Sequence, residues 1–247
     1  MGAMQRYEES DTRMTFGQTS LDGTDFIPPR IKVVQQMSKE ANDEVAKVGD
    51  LFNTLTGENY GPTLRFIPFL PFKQRIFLVR MERRPAIEAA LGVPLSEGDG
   101  LKCRSLDMYQ GVGEPGVLCE SCPLSRWDGN KPPLCTETYN VAAMTELGDL
   151  IILSFAKSSA KVGKRVFSTL RMRREKPWTR VFEVTTTKVT NPLGTFYVPD
   201  VKITADRTPA ELLPTADEWA RELTGRAIDV TPESFDDEAV GEEAAPF

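Results

Sequence analysis

The sequence predicts an α+β fold, mainly β. Three observations carry this. Short runs of β-branched and aromatic residues, bounded by Pro and Gly, recur through the middle of the chain. Apolar residues at helical spacing mark a segment at 158–170, and a Thr-Pro start opens another at 208–223. The chain has 247 residues, 40% of them hydrophobic and 27% charged, enough for one large domain or two small ones with a real core.

The elements follow in order. Residues 1–25 are polar and predicted to be disordered. Pro28 and Pro29 precede a short apolar run at 31–34, and 51–58 reads as a strand and turn. Two strands are predicted at 64–70 and 75–82, separated by a Pro-rich turn, with Pro68 at a bulge or edge. Residues 85–149 read as loop-rich, and 150–155 as a buried strand. In 158–170, Val162, Val166, Phe167 and Leu170 fall on one helical face. The stretch 181–189 alternates Val and Phe with Glu and Thr, and pairs across Gly194 with a strand reaching Ile203. Thr208 as N-cap and Pro209 at the first helical position predict a helix to Leu223, ended by Gly225. Five or more short strands with helices between or after them fit an OB-like β-barrel; an α+β sandwich is the alternative. The resulting organisation is a flexible 1–25, a core at 26–228 with a subdomain near 100–138, and a disordered acidic tail at 229–247.

Charge is unevenly placed. The chain carries 30 Lys and Arg against 36 Asp and Glu, a net −6. Residues 61–210 carry net +7, whereas 229–247 hold seven acids and no base. Within 157–188 ten bases face only Glu175 and Glu183. A basic body with an acidic tail predicts a polyanionic partner. The absence of His excludes Ser-His-Asp and Cys-His catalysis and the HExxH proteases, and no clustered carboxylate motif suggests a metal nuclease. The expectation is therefore a protein that is not an enzyme. No apolar stretch resembles a signal peptide or spans a bilayer, which predicts a cytoplasmic, reducing compartment and no membrane partner.

All four cysteines lie within one Pro- and Gly-rich segment: Cys103, Cys119, Cys122 and Cys135. Cys119 and Cys122 form a CxxC knuckle, whose spacing lets two thiolates reach one tetrahedral ion. Cys103 and Cys135 complete a four-thiolate set, which predicts one structural Zn²⁺ per chain. Two disulfides, a redox CxxC or free thiols are the alternatives. Disulfides fit a secreted chain better, and Pro123 directly after Cys122 is unlike a redox motif.

Lys157, Lys161, Lys164 and Arg165 fall on one helical face, followed by Arg171, Arg173, Arg174, Lys176 and Arg180 around Trp178. Arg65, Lys73, Arg75 and Arg80 lie among Phe66, Phe69, Phe72 and Phe77. Single-stranded nucleic acid needs cations along its phosphates and flat rings against its bases. These residues are the predicted contacts, with Trp178 and some of the Phe as stacking rings. A solvated helix face with core aromatics is the plainer reading of the same pattern.

The chain ends in Asp236, Asp237, Glu238, Glu242, Glu243, Pro246 and Phe247 within a run of small residues. This tail resembles the C-terminal tail of bacterial and phage single-stranded DNA-binding proteins. The resemblance implies sequence-tolerant single-stranded DNA binding in phage replication, recombination or repair. It also implies that the tail recruits replication or recombination proteins, the terminal ring entering a partner pocket. The host cytoplasm would be the location of a phage-encoded chain. A cysteine zinc site within an OB-like core is similar to the helix-destabilising proteins of T-even phages. Their ligand set includes a His, which a fourth thiolate replaces here. The alternative is a zinc-containing transcription or recombination adaptor that binds duplex DNA and a polymerase.

Overall fold

The computed structural model describes residues 27–231, apart from 81, 82, 93, 131 and 193. Among them ten strands form one sheet. Its main path runs β10 (Gly194–Arg207), β9 (Arg180–Asn191), β4 (Thr63–Val79), β7 (Thr136–Thr145), β8 (Leu150–Phe155), β1 (Arg30–Val33), β2 (Leu51–Asn53) and β3 (Asn59–Gly61). β5 (Gly100–Ser105) branches from β4 and carries β6 (Val112–Gly113). Among the described residues four α-helices complete the fold: α1 (Lys39–Asn42), α2 (Arg84–Leu91), α3 (Ala160–Met172) and α4 (Leu213–Leu223). No helix among the described residues is long and apolar enough to cross a membrane.

The mixed, sheet-rich class is the one the sequence predicts. The barrel is not: the strand path stays open at β10 and at β3. Gln35, just after β1, nevertheless ties that strand to β10. Its amide nitrogen donates to the Tyr197 carbonyl at 2.8 Å, and its amide oxygen accepts from the Tyr197 N–H at 2.9 Å.

The two strands expected around Pro68 are one 17-residue strand. β9 pairs with β4 only at 63–66 and β5 only at 75–79, so the stretch between them is laddered on the β7 side alone. A residue without an N–H is tolerated there. The register slips between Pro68 and Leu70, as the expected bulge requires.

β7 lies in the stretch read as loop. Its Ala142 and Ala143 give weak strand signals, yet it is central, between β4 and β8, and 141–144 are fully buried. Small residues here let layers pack closely on both faces. On one face α3 packs Val166 and Leu170 against Tyr139, Val141, Leu153 and Phe155. The approach is so close that a Cβ on Gly163 would lie 2.6 Å from the Tyr139 Cβ. On the other face α4 packs Ala216, Ala220 and Leu223 against Ile67, Phe69, Ala142 and Ile152.

α4 starts later than the Thr-Pro signal predicts. The Thr208 N–H donates to the Thr179 carbonyl at 3.2 Å, and Pro209 has ψ 138°, so a short 3₁₀ turn precedes a helix from Leu213. Gly225, at φ +81°, follows its end. Beyond it Ile228 and Val230 enter the core, 6% and 2% exposed. The acidic tail expected from Asp229 therefore begins as a packed strap, because Ile228 and Val230 supply two apolar anchors.

Candidate metal centre and nucleic-acid interface

The four cysteines converge. Cys103 is on β5, opposite Phe77 of β4 and Gly113 of β6. The Asp107 carboxylate accepts from the N–H groups of Tyr109 and Gln110 and from Ser105, which turns the chain back toward the knuckle. These bonds hold Asp107 below the usual carboxylate range. The Cys119 N–H donates to the Tyr109 carbonyl at 2.8 Å. The knuckle closes with Cys122 N–H on the Cys119 carbonyl, and the Cys135 N–H reaches the Leu124 carbonyl at 2.9 Å. A 3₁₀ turn, 123–125, follows Cys122 instead of the helix a redox motif would open.

All four are free thiols lining one small cavity with Phe77, Val117 and Leu124. Gly111 is fitted to it, since a Cβ there would come within 2.9 Å of the Cys103 sulfur. Burial pushes Cys103 up, while the amides of Gly116 and Val112 donate toward its sulfur. Burial pushes Cys135 up to about 12, opposed by the nearby Arg75 charge. Among the described residues no His, Cys, Asp or Glu group is already drawn together as a metal cage. The donor set fits a soft metal in kind: four sulfurs, one cavity, and amides aimed at a sulfur.

The predicted cations divide into two sets. One set is engaged within the fold, mostly by acids, and most of those acids come from distant segments. Arg65 makes a bidentate contact with Glu146 and a 2.8 Å bond to Asp206, which raise its pKa further. Lys73 pairs with Glu137 and stands 4.6 Å from the Tyr139 ring centroid. Arg165 pairs with Asp200, Arg173 and Arg180 with Glu175, and Lys176 with Asp217. Arg75 donates to the Ser125 carbonyl beside the thiols. Arg80 is half-buried at the end of β4. The other set is open. Lys161, Lys164, Arg171 and Arg174 are exposed and make no ion pair among the described residues. Lys157 is exposed but engaged, at φ +47° in the turn before α3.

The aromatic residues sort differently from the expectation. Phe66, Phe69 and Phe77 are buried, because alternate residues of β4 face the cores. Trp178 is half-buried against the α4 layer, with the Lys176 ammonium 5.0 Å from its centroid. Among the described residues the exposed rings are Tyr109 and Trp127 of the cysteine segment, 60% and 55% exposed. Sequence reasoning passed over both; their place in turns rich in Asp and Gly was the available signal. The tail residues Asp236, Asp237, Glu238, Glu242, Glu243, Pro246 and Phe247 lie outside the described residues.

A polar strip crosses the α4 face of the sheet. Gln74 opposes Thr138, and Asn140 opposes Ser154, so all four share one face with Ala142 and Ile152. Gln74 and Asn140 are 0% exposed, and among the described residues neither amide has a hydrogen-bond partner at its nitrogen or its oxygen. The Ser154 hydroxyl is likewise buried without a partner among them. Each such atom costs about 1–3 kcal/mol. The strap lies over this face: Ile228 and Val230 pack with Ala142 and Ile152, and Asp229 pairs with Arg104 of β5. Thr138, Ser154 and Val230 line a cleft together with Arg30, Lys32 and Lys157.

No curated protein and no solved structure matches the chain. A family model does match residues 2–86, a span that includes β1 to β4 but neither the thiols nor α3. Over that span the chain is similar to a phage protein family, described as Pam3 phage gp34-like protein, which points to a phage origin.

Proposed function

We propose that this chain binds single-stranded DNA without sequence preference, in phage replication, recombination or repair. The observation that carries the reading is the open cationic face of α3 and the turn after it. Lys161, Lys164, Arg171 and Arg174 stand clear of the acids that neutralise their neighbours. The apolar side of the same helix is locked into the core, so these charges are held on a rigid element. Tyr109 and Trp127 supply rings that solvent, and hence a base, can reach. Stacking of this kind contributes about 1–3 kcal/mol per base. The tail would recruit replication or recombination partners through Phe247.

Four neutralised phosphates predict that log K falls with log salt at a slope of about −3 for a single strand. Fluorescence anisotropy with labelled oligonucleotides of several sequences, across a salt series, tests this. Equal affinity for matched duplex, or no salt dependence, would sink the proposal.

The cysteine segment completes the reading. Cys103, Cys119, Cys122 and Cys135 would hold one structural Zn²⁺, with no open position for chemistry. Elemental analysis should return one zinc per chain, falling to none in Cys119→Ser. Zero zinc in the unmodified protein, purified without chelator, refutes the site.

A further inference from the structure

We propose that the 226–231 strap is a displaceable cover, and that the strip beneath it reads the edges of unstacked nucleobases. The strip is Gln74, Thr138, Asn140 and Ser154. The inference rests on the single-strand reading above and adds the place where bases are contacted.

The chemistry of the strip fits that ligand. A side-chain amide offers donors and an acceptor side by side, the same complement that an exposed base edge presents. Gln74 and Asn140 hold four such atoms without a partner among the described residues while the strap is down. Fully buried positions on the same face as Ala142 and Met144 gain nothing by carrying unpaired amides. Uncovering the strip to bases satisfies those atoms, so DNA favours the open form over the closed one. Mixed donors and acceptors on flexible amides suit every base, in keeping with sequence tolerance.

The strap is built to leave. Its root is Gly225 at φ +81°. Two apolar side chains, Ile228 and Val230, hold it, with the Arg104–Asp229 pair, whose side chains are 40% and 31% exposed. That pair is partly screened by solvent and weakens with salt. The Thr231 hydroxyl, at the end of the strap, is also buried without a partner among the described residues. Arg30 on β1 and Lys157 before α3 line the same cleft, while Lys32 beside them is paired with Glu40 at 2.7 Å. A backbone following Arg30 and Lys157 brings its bases over Ser154 and Asn140.

The test uses the full chain and two probes of equal length, an oligothymidylate and its abasic counterpart. Asp229→Asn loosens the strap and should tighten the oligothymidylate about threefold more than the abasic strand. Adding Gln74→Leu and Asn140→Leu should erase that difference. These replacements remove unpaired buried atoms, so the fold is retained and a thermal melt verifies it. Hydrogen exchange on the unmodified protein provides the second arm: saturating oligothymidylate should speed exchange in 226–231. Equal tightening on both probes, or an unchanged strap at saturation, overturns the proposal and leaves the strip served by buried solvent only. If the unmodified chain binds neither probe, the single-strand reading fails as well.

Discussion

Gln35 and Tyr197 are joined as two strand residues would be, with a side chain standing in for one backbone. The Gln35 amide donates to the Tyr197 carbonyl at 2.8 Å and accepts its N–H at 2.9 Å. Gln35 is buried, so breaking the pair strands two backbone groups away from water. Gln35→Leu should lower unfolding free energy by about 2–4 kcal/mol. Urea denaturation at constant m-value measures it, and a loss below about 0.5 kcal/mol would show the link to be dispensable.

Gly163 sets how close α3 can sit. A Cβ there meets the Cβ atoms of Tyr139 and Phe155 at 2.6 and 2.9 Å. Neither is the end of a flexible chain, so the helix must shift as a body. Gly163→Ala should cost about 1–3 kcal/mol despite the better helix propensity of Ala. A rise in Tm would show that α3 packs less tightly than described.

The two sets of cations should behave oppositely on substitution. Lys161→Gln or Arg171→Gln should reduce the steepness of the salt dependence by about 0.7 each and leave the melting temperature nearly unchanged. Arg65→Gln should do the reverse, because its charge is spent on Glu146 and Asp206. A binding loss at Arg65 equal to that at Arg171 would mean that DNA displaces those acids.

Acid should weaken the Lys73–Glu137 pair. Burial opposes the charge on Glu137, but the Lys73 ammonium overrides it and holds the carboxyl below its ordinary value of 4.5. A depressed folded pKa stabilises above the unfolded value and loses that contribution as pH falls through the folded one. On the Lys73 side burial again opposes the charge, yet Glu137 keeps the ammonium above its ordinary 10.5. That contribution is complete below 10.5 and is lost as pH rises through the folded value. Glu137→Gln should therefore flatten the dependence of the urea midpoint on pH below about 4.5 and above about 10.5. Parallel curves for both proteins would show that the pair is not coupled to folding.

Periodic and local features were legible in the residues. The apolar repeat of α3, the β9–β10 hairpin and the glycine stop after α4 each follow from spacing that no distant contact changes. Non-local features were not. β7 hides its strand character because Ala142 and Ala143 serve packing on both faces. Pro68 and Pro71 suggested a break in β4, and only the one-sided ladder explains why none occurs. The four cysteines could be grouped from their spacing. The cations could not be sorted, since Glu146, Asp200, Asp206 and Asp217 arrive from remote stretches to neutralise Arg65, Arg165 and Lys176. The amides of the polar strip left no trace either: Gln74 stands between Lys73 and Arg75, and Asn140 follows Thr136, Glu137 and Thr138, so both read as members of ordinary polar stretches.

The register of β4 against β7 has a bearing on how such a chain is assembled over generations. Ile76 faces Thr136 across the ladder, so the polypeptide leaves the main strand path and returns to it at one place, with β5 and β6 as the side branch between. Everything between, the thiols and Tyr109 and Trp127 included, is an excursion from a single hairpin. Its gain, loss or exchange by recombination leaves the order of the remaining strands intact. The cysteine segment can thus diverge at its own pace, taking the two open rings with it, while α3 and its cations keep their place on the sheet.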